Sequence, residues 1–137
     1  MSRLIDQIKK HEGFRSRMYK DTVGVNTIGF GRNMDDVPVS EGVAELMLME
    51  DVAVATDAAS TMDYWPELND VRQDVIVNMV FNLGFTRFAK FKNMRAALLI
   101  GDYTLTAKEM LDSKWAKQVG RRAEELAAQM DTGEYAS

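Results

Sequence analysis

Cysteine is absent from this chain of 137 residues. A disulfide scaffold, a zinc–thiolate site and a thiol nucleophile are therefore all excluded. Histidine occurs once, at His11, so a histidine-rich metal centre is excluded as well. No long apolar run is present. The longest purely apolar stretch is residues 96–100, far short of the roughly 20 residues that span a bilayer. A basic excess is missing too: the formal charge is −4, against the basic stripe that nucleic-acid binding usually shows. A small basic cluster, Lys114, Lys117, Arg121 and Arg122, stands out near the C-terminus. The N-terminus, MSRLIDQIKK, carries charges where a signal peptide needs an apolar core. The expectation is a chain made in the cytoplasm, with no signal peptide, membrane anchor or membrane insertion.

What is present fits a folded domain. Apolar residues make up 46% and charged residues 28%, so disorder is not expected. The length suits one compact domain, in one or two lobes. The groups left for chemistry are Asp, Glu, Ser, Thr, Lys and Tyr.

Ser2 is a candidate N-cap for a first helix of about three turns. Ile5, Ile8 and Glu12 fall on one face of it, so Glu12 ends the apolar stripe rather than joining Lys9 and Lys10. Two readings of Glu12 stand. It is a carboxyl withdrawn from water and so kept protonated as a general acid, or a helix-end Glu that reaches solvent. His11 points about 100° away from Glu12 and reads as a surface residue. Gly13 stops the helix. Residues 14–32, with Phe14, Tyr19, Val23, Val25, Ile28 and Phe30 among glycines, read as short antiparallel strands turning near Asp21. Residues 33–39 read as a loop, with Asp35 and Asp36 as turn residues rather than metal ligands.

Ser40 caps a helix running to about Ala59, apolar nearly all round and hence buried or linking two packed bodies. A break follows at Tyr64-Trp65-Pro66. Further helices are expected from Asn69 to Gly84, over residues 93–100, after Asp102 or Thr104, around Trp115 and over residues 121–130, with a frayed end. Phe81, Phe85, Phe88 and Phe91 are core by default. The pattern is α+β, one small β element with roughly six to eight helices.

One arrangement is more specific. Glu12, Asp21 and Thr27 stand in E12-GFRSRMYK-D21-TVGVN-T27-IGFG, and this segment resembles the catalytic signature of phage-type lysozymes (glycoside hydrolase family twenty-four). The likeness recurs in order at NMVFNLG (residues 78–84), at FKNMR after Phe91, and at SKW and GRRA in residues 113–123. The stretch between sheet and long helix is shorter than in larger members, so the chain looks like a compact version.

The resemblance implies a lysozyme-like fold: a β-rich lobe over residues 13–40, a connecting helix over 41–59, and a helical lobe of 1–12 with 66–137, with an active-site cleft between the lobes. It implies hydrolysis of the β-1,4 bond between N-acetylmuramic acid and N-acetylglucosamine in bacterial peptidoglycan. By the same resemblance Glu12 is the general acid, Asp21 the carboxylate across the sugar ring, and Thr27 a holder of the attacking water, an inverting arrangement. Gly31, Asn33, Phe81 and Asn82 are then substrate-binding. Arg122 lies against the catalytic Glu, and Asn78 and Trp115 support the cleft. No metal or organic cofactor is implied. Family members commonly carry His after TIGxG, paired with an Asp of the connecting helix. Arg32 and Asp51 occupy those positions here, and an Arg32–Asp51 ion pair that does not titrate near neutral pH is expected. Two further substrate-contact positions appear as Met94 and Glu109.

The implied partners are peptidoglycan and either a pore-forming protein for export or a virion component, with the chain itself a monomer acting on the wall after release. Two alternatives differ in class: a non-catalytic phage structural or wall-binding module, and a lytic transglycosylase, which uses no water.

Overall fold

The computed structural model describes residues 2–136. Among them are eight α-helices and a three-stranded antiparallel sheet, the expected α+β lysozyme-like architecture. The chain divides into two bodies, residues up to Glu45 and residues from Leu46 onward.

The first body holds helix α1 (Ser2–Glu12), strands β1 (Arg15–Lys20), β2 (Asn26–Gly29) and β3 (Arg32–Asn33), and the start of α2 (Glu41–Ala59). Ser2, expected as a cap, is the first helical residue of α1. The Gly13 N–H closes α1 onto the Lys9 carbonyl at 2.9 Å. The sheet order is β1-β2-β3, so β2 is central and carries Thr27 opposite Tyr19 and Asn33. β3 straddles the expected boundary, Arg32 in the stretch that reads as strands and Asn33 in the one that reads as a loop. Phe14 packs on Phe30 at 5.4 Å between ring centres, and Lys9 sits over the same ring at 5.4 Å.

Thr27 is the one buried residue among those described here up to Glu45. Of the two readings of Glu12, the solvent-reaching one fits: Glu12 is exposed, as are Ile5 and Ile8 on its face. The physical reason is size: a body this small buries a modest fraction of its surface and builds little core.

In α2, Ser40 caps as expected, its Oγ accepting from the Val43 N–H at 3.2 Å. Of the helix's many apolar residues, Ala55 and Ala59 alone are buried, and residues 46–54 are exposed.

The second body contains the core. It comprises the rest of α2, a 3-10 turn (Trp65–Glu67), α3 (Asp70–Leu83), α4 (Phe85–Phe88), α5 (Lys92–Leu99), α6 (Tyr103–Leu111), α7 (Lys114–Val119) and α8 (Arg121–Thr132). Asn69, Asp102 and Ser113 each accept a first-turn N–H, capping α3, α6 and α7. At α6 the Asp102 carboxylate takes the cap, while the Thr106 hydroxyl bonds back to the Asp102 carbonyl at 2.8 Å. Met79, Met94, Met110 and Met130 are buried around Phe88 and Ile76, an adaptable filling for helices that meet at varied angles. Phe91 stacks near Phe88 and meets Trp115 edge-on. Phe81 departs from the core expectation, being 42% exposed.

Residues 131–136 of the tail are bonded back to the helices rather than frayed, and Ser137 lies outside the described residues. Arg72 on α3 donates to the carbonyls of Met130 and Asp131 at 2.7 and 2.9 Å. Asn69 holds the Gly133 carbonyl at 3.1 Å, and the Tyr135 hydroxyl donates to Asp74. The C-terminus is thereby tied to α3 by partners some sixty residues away.

Candidate active site

Glu12 is the last residue of α1. Its carboxyl lies against the backbone of Gly31, where an added β-carbon would stand 2.6 Å from Oε2 and 2.8 Å from Cδ. Gly31 has φ +78°, a conformation that suits glycine. Glu12 and Gly31, expected in one site, are thus in contact.

Asp21 begins the turn between β1 and β2. Its Oδ1 accepts from the N–H groups of Val23 and Val25, both at 2.9 Å. This is an Asx turn, in which a short carboxylate stands in for a backbone acceptor. Among the described residues Oδ2 has no hydrogen-bond partner, so one oxygen shapes the turn and the other faces outward.

Thr27 is buried on the central strand, and its hydroxyl donates to the Val25 carbonyl at 2.9 Å. The Asp21 N–H reaches the same carbonyl at 2.9 Å. Val25 therefore joins the two side chains, its N–H holding the Asp21 carboxylate and its C=O holding the Thr27 hydroxyl. With its proton committed, Thr27 Oγ1 presents lone pairs as an acceptor.

Asn33, expected to bind substrate, organises its own loop. Its Oδ1 accepts from the N–H groups of Asp35 and Asp36 at 3.0 and 3.1 Å, and its Nδ2 donates to Asp36 at 3.0 Å. Arg32, for which pairing with Asp51 is expected, is engaged within its own body by the Pro38 carbonyl at 2.7 Å. Asp51 is an exposed residue of α2.

In the second body, Arg122 donates through Nε and Nη2 to Asn78 Oδ1, at 3.0 and 2.6 Å. The two line a cavity of about 310 Å³ with Phe81, Val77, Val52 and Leu48. Trp115 is buried and donates its indole N–H to Asn82 at 2.8 Å. Trp115 also lines the wall of a cavity of about 600 Å³ that includes Met94 and Glu109. The expected residues thus form two sets. Glu12, Asp21, Thr27, Gly31, Arg32 and Asn33 belong to the first body, and Asp51, Asn78, Phe81, Asn82, Trp115 and Arg122 to the second.

Two residues near these sets escaped the sequence. Asp35 accepts from both the backbone N–H and the side chain of Asn26, bonds that hold its carboxyl below its ordinary range. Asp74 lines the cavity beside Arg122, and burial, with Asp70 adding to it, pushes its carboxyl up.

Residues 9–130 match the family described as Phage lysozyme. The chain belongs to the phage lysozyme family. An endolysin of Acyrthosiphon pisum secondary endosymbiont phage 1 is 34% identical over 119 residues, covering 84% of this chain and 80% of that protein. A probable T4-type lysozyme 1 of Dictyostelium discoideum is 26% identical, with 97% of this chain and 96% of that protein covered. The pre-baseplate central spike protein Gp5 of Enterobacteria phage T4 is also 26% identical, over 98% of this chain but 28% of that longer protein. This family member is an enzyme, a lysozyme-type peptidoglycan hydrolase. No helix among the described residues is long and apolar enough to cross a membrane.

Proposed function

We infer that this lysozyme cleaves the β-1,4 bond between N-acetylmuramic acid and N-acetylglucosamine with inversion. Glu12 gives its proton to the leaving oxygen. Asp21 and Thr27 each accept a hydrogen bond from a water; as its lone pair attacks the anomeric carbon, the water gives one proton to Asp21 and keeps the other as the new hydroxyl. Attack from the face opposite the leaving group inverts that centre, and it needs the two carboxyls roughly 6.5–9.5 Å apart to admit the water.

The observation that supports this most is the Val25 linkage. A hydroxyl whose own proton is committed to Val25, and a carboxylate with one oxygen free of partners among the described residues, make two acceptors and no donor. Two acceptors suit a water about to lose a proton. A water has two protons to offer them, whereas the sugar hydroxyl that attacks in a transglycosylase has one.

Phe81, Asn82, Asn33 and Gly31 complete the reading as substrate contacts. Arg122 with Asn78, Trp115, and an Arg32–Asp51 pairing complete it as support. The spike-protein relative gives one specific ground for a second setting, a virion-borne enzyme that opens the wall on entry. Delivery through a membrane pore is the other, and a monomer suits both.

Product analysis tests the reaction class. Digestion of purified peptidoglycan should yield reducing muramic acid ends, with the α-anomer first. A dominant anhydro product would overturn hydrolysis, and a β-anomer would overturn inversion.

A further inference from the structure

Asp35 stands outside the catalytic set, in the loop that follows β3. Its carboxylate reaches back nine residues to Asn26, Oδ2 accepting from the backbone N–H at 3.1 Å and Oδ1 from Nδ2 at 3.0 Å. The Asn26 carbonyl accepts in turn from the Met34 N–H at 2.7 Å. Asn26 is therefore held by this loop through its backbone donor, its backbone acceptor and its side chain.

The Asn26 N–H belongs to the same planar peptide unit as the Val25 carbonyl. That carbonyl carries the Thr27 hydroxyl and the Asp21 N–H. Asp35 thus grips one end of a rigid plate, and the Thr27 hydroxyl, with the backbone N–H of Asp21, hangs from the other end. A hydrogen bond to the N–H of an amide also polarises it, which strengthens its oxygen as an acceptor. The grip is placed in advance, because Asn33 Oδ1 fixes the Asp35 and Asp36 N–H groups at 3.0 and 3.1 Å.

We propose that Asp35 is a positioning residue of this enzyme: it fixes the Val25–Asn26 peptide plane and through it the direction of the Thr27 hydroxyl. This rests on the water-activating reading of Asp21 and Thr27. The carboxyl's lowered pKa, caused first by the Asn26 backbone bond, then by the Asn26 side chain and also by Lys20, keeps Asp35 an acceptor at working pH.

Asp35→Asn turns one arm of the grip into a donor facing a donor. Asp35 is exposed, so the variant folds. On a soluble peptidoglycan fragment, kcat falls about tenfold, as displacement of a reacting group by a fraction of an ångström demands, while KM and melting temperature hold. In a Thr27→Ala background the Asp35→Asn change has no further effect, because the group it positions is gone. The proposal is overturned by an unchanged kcat, by a fall that tracks a lost melting temperature, or by the same fall without Thr27. Full activity in Thr27→Ala alone would instead sink the water-activating reading itself, so the two failures are distinguishable.

Discussion

The Glu12 carboxyl occupies the space that a β-carbon of Gly31 would take, with Oε2 2.6 Å from that position. The helix-end acid is therefore seated on the sheet's β2–β3 turn rather than swinging free. A glycine is required twice over there, once by φ +78° and once by the carboxyl.

Gly31→Ala separates these two demands. The positive φ costs an alanine about 1–2 kcal/mol. The collision is with the far end of a flexible side chain, so Glu12 moves rather than the backbone. The expected result is a modest drop in melting temperature with a larger fall in kcat than in folded fraction. A variant that loses stability but keeps kcat would show that the seating of Glu12 is irrelevant to turnover.

Asp21, proposed as the base, offers a clean comparison, because Oδ1 holds the turn while Oδ2 has no hydrogen-bond partner among the described residues. Asp21→Asn keeps an Oδ1 that accepts from Val23 and Val25, so the turn survives while the base is lost. Asp21→Ala loses both. Turnover should fall at least about 10²-fold in each, the general-base contribution, whereas unfolding by urea should show a loss of about 1 kcal/mol in Asp21→Ala alone. Near-normal turnover in Asp21→Asn would make Asp21 a turn residue and nothing more.

How much of this was legible in the sequence follows from how local each feature is. The caps at Ser40, Asn69 and Asp102 act on N–H groups three residues on, and the sequence shows them directly. The Asp21 turn and the run to Thr27 are equally local, and they carry the family signature. The Asn26–Asp35 and Asp74–Tyr135 bonds span nine and sixty-one residues, and no periodicity encodes them. The two readings of Glu12 stayed open for a related reason: face arguments say which residues share a stripe, not whether anything covers it. Residue type reads Phe81 as core and the resemblance reads it as a substrate contact, and its 42% exposure fits the second.

Arg72 should matter more to stability than a half-buried helix residue usually does. Its guanidinium closes the last turn of α8 through the Met130 and Asp131 carbonyls, and it lies over the Tyr103 ring at 4.0 Å. Cations at a helix C-terminus also oppose the negative end of its dipole. Arg72→Met keeps much of the apolar stem and removes the rest, so a loss of about 2–3 kcal/mol is expected from charged hydrogen bonds alone. Chemical denaturation measures it, and a loss below about 0.5 kcal/mol, the surface norm, would mean that the tail holds itself.

Tyr64 makes the chain sensitive to alkali. It is 4% exposed, and among the described residues its hydroxyl has no hydrogen-bond partner. Burial pushes its pKa from 10.0 up to about 12, against a smaller opposing pull from Arg95. The folded state therefore keeps this proton at a pH where the unfolded chain has shed it. Below 10.0 the group leaves stability independent of pH, and between 10.0 and about 12 stability falls as pH rises. Tyr64→Phe removes both the titration and an unpaired buried hydroxyl, whose desolvation costs about 1–3 kcal/mol. The variant should be at least as stable as the parent at pH 7 and should resist urea better at pH 11 by a wider margin. A variant weaker than the parent at pH 7 would show that the hydroxyl is satisfied in solution, and an equal margin at both values would remove Tyr64 from the alkaline transition.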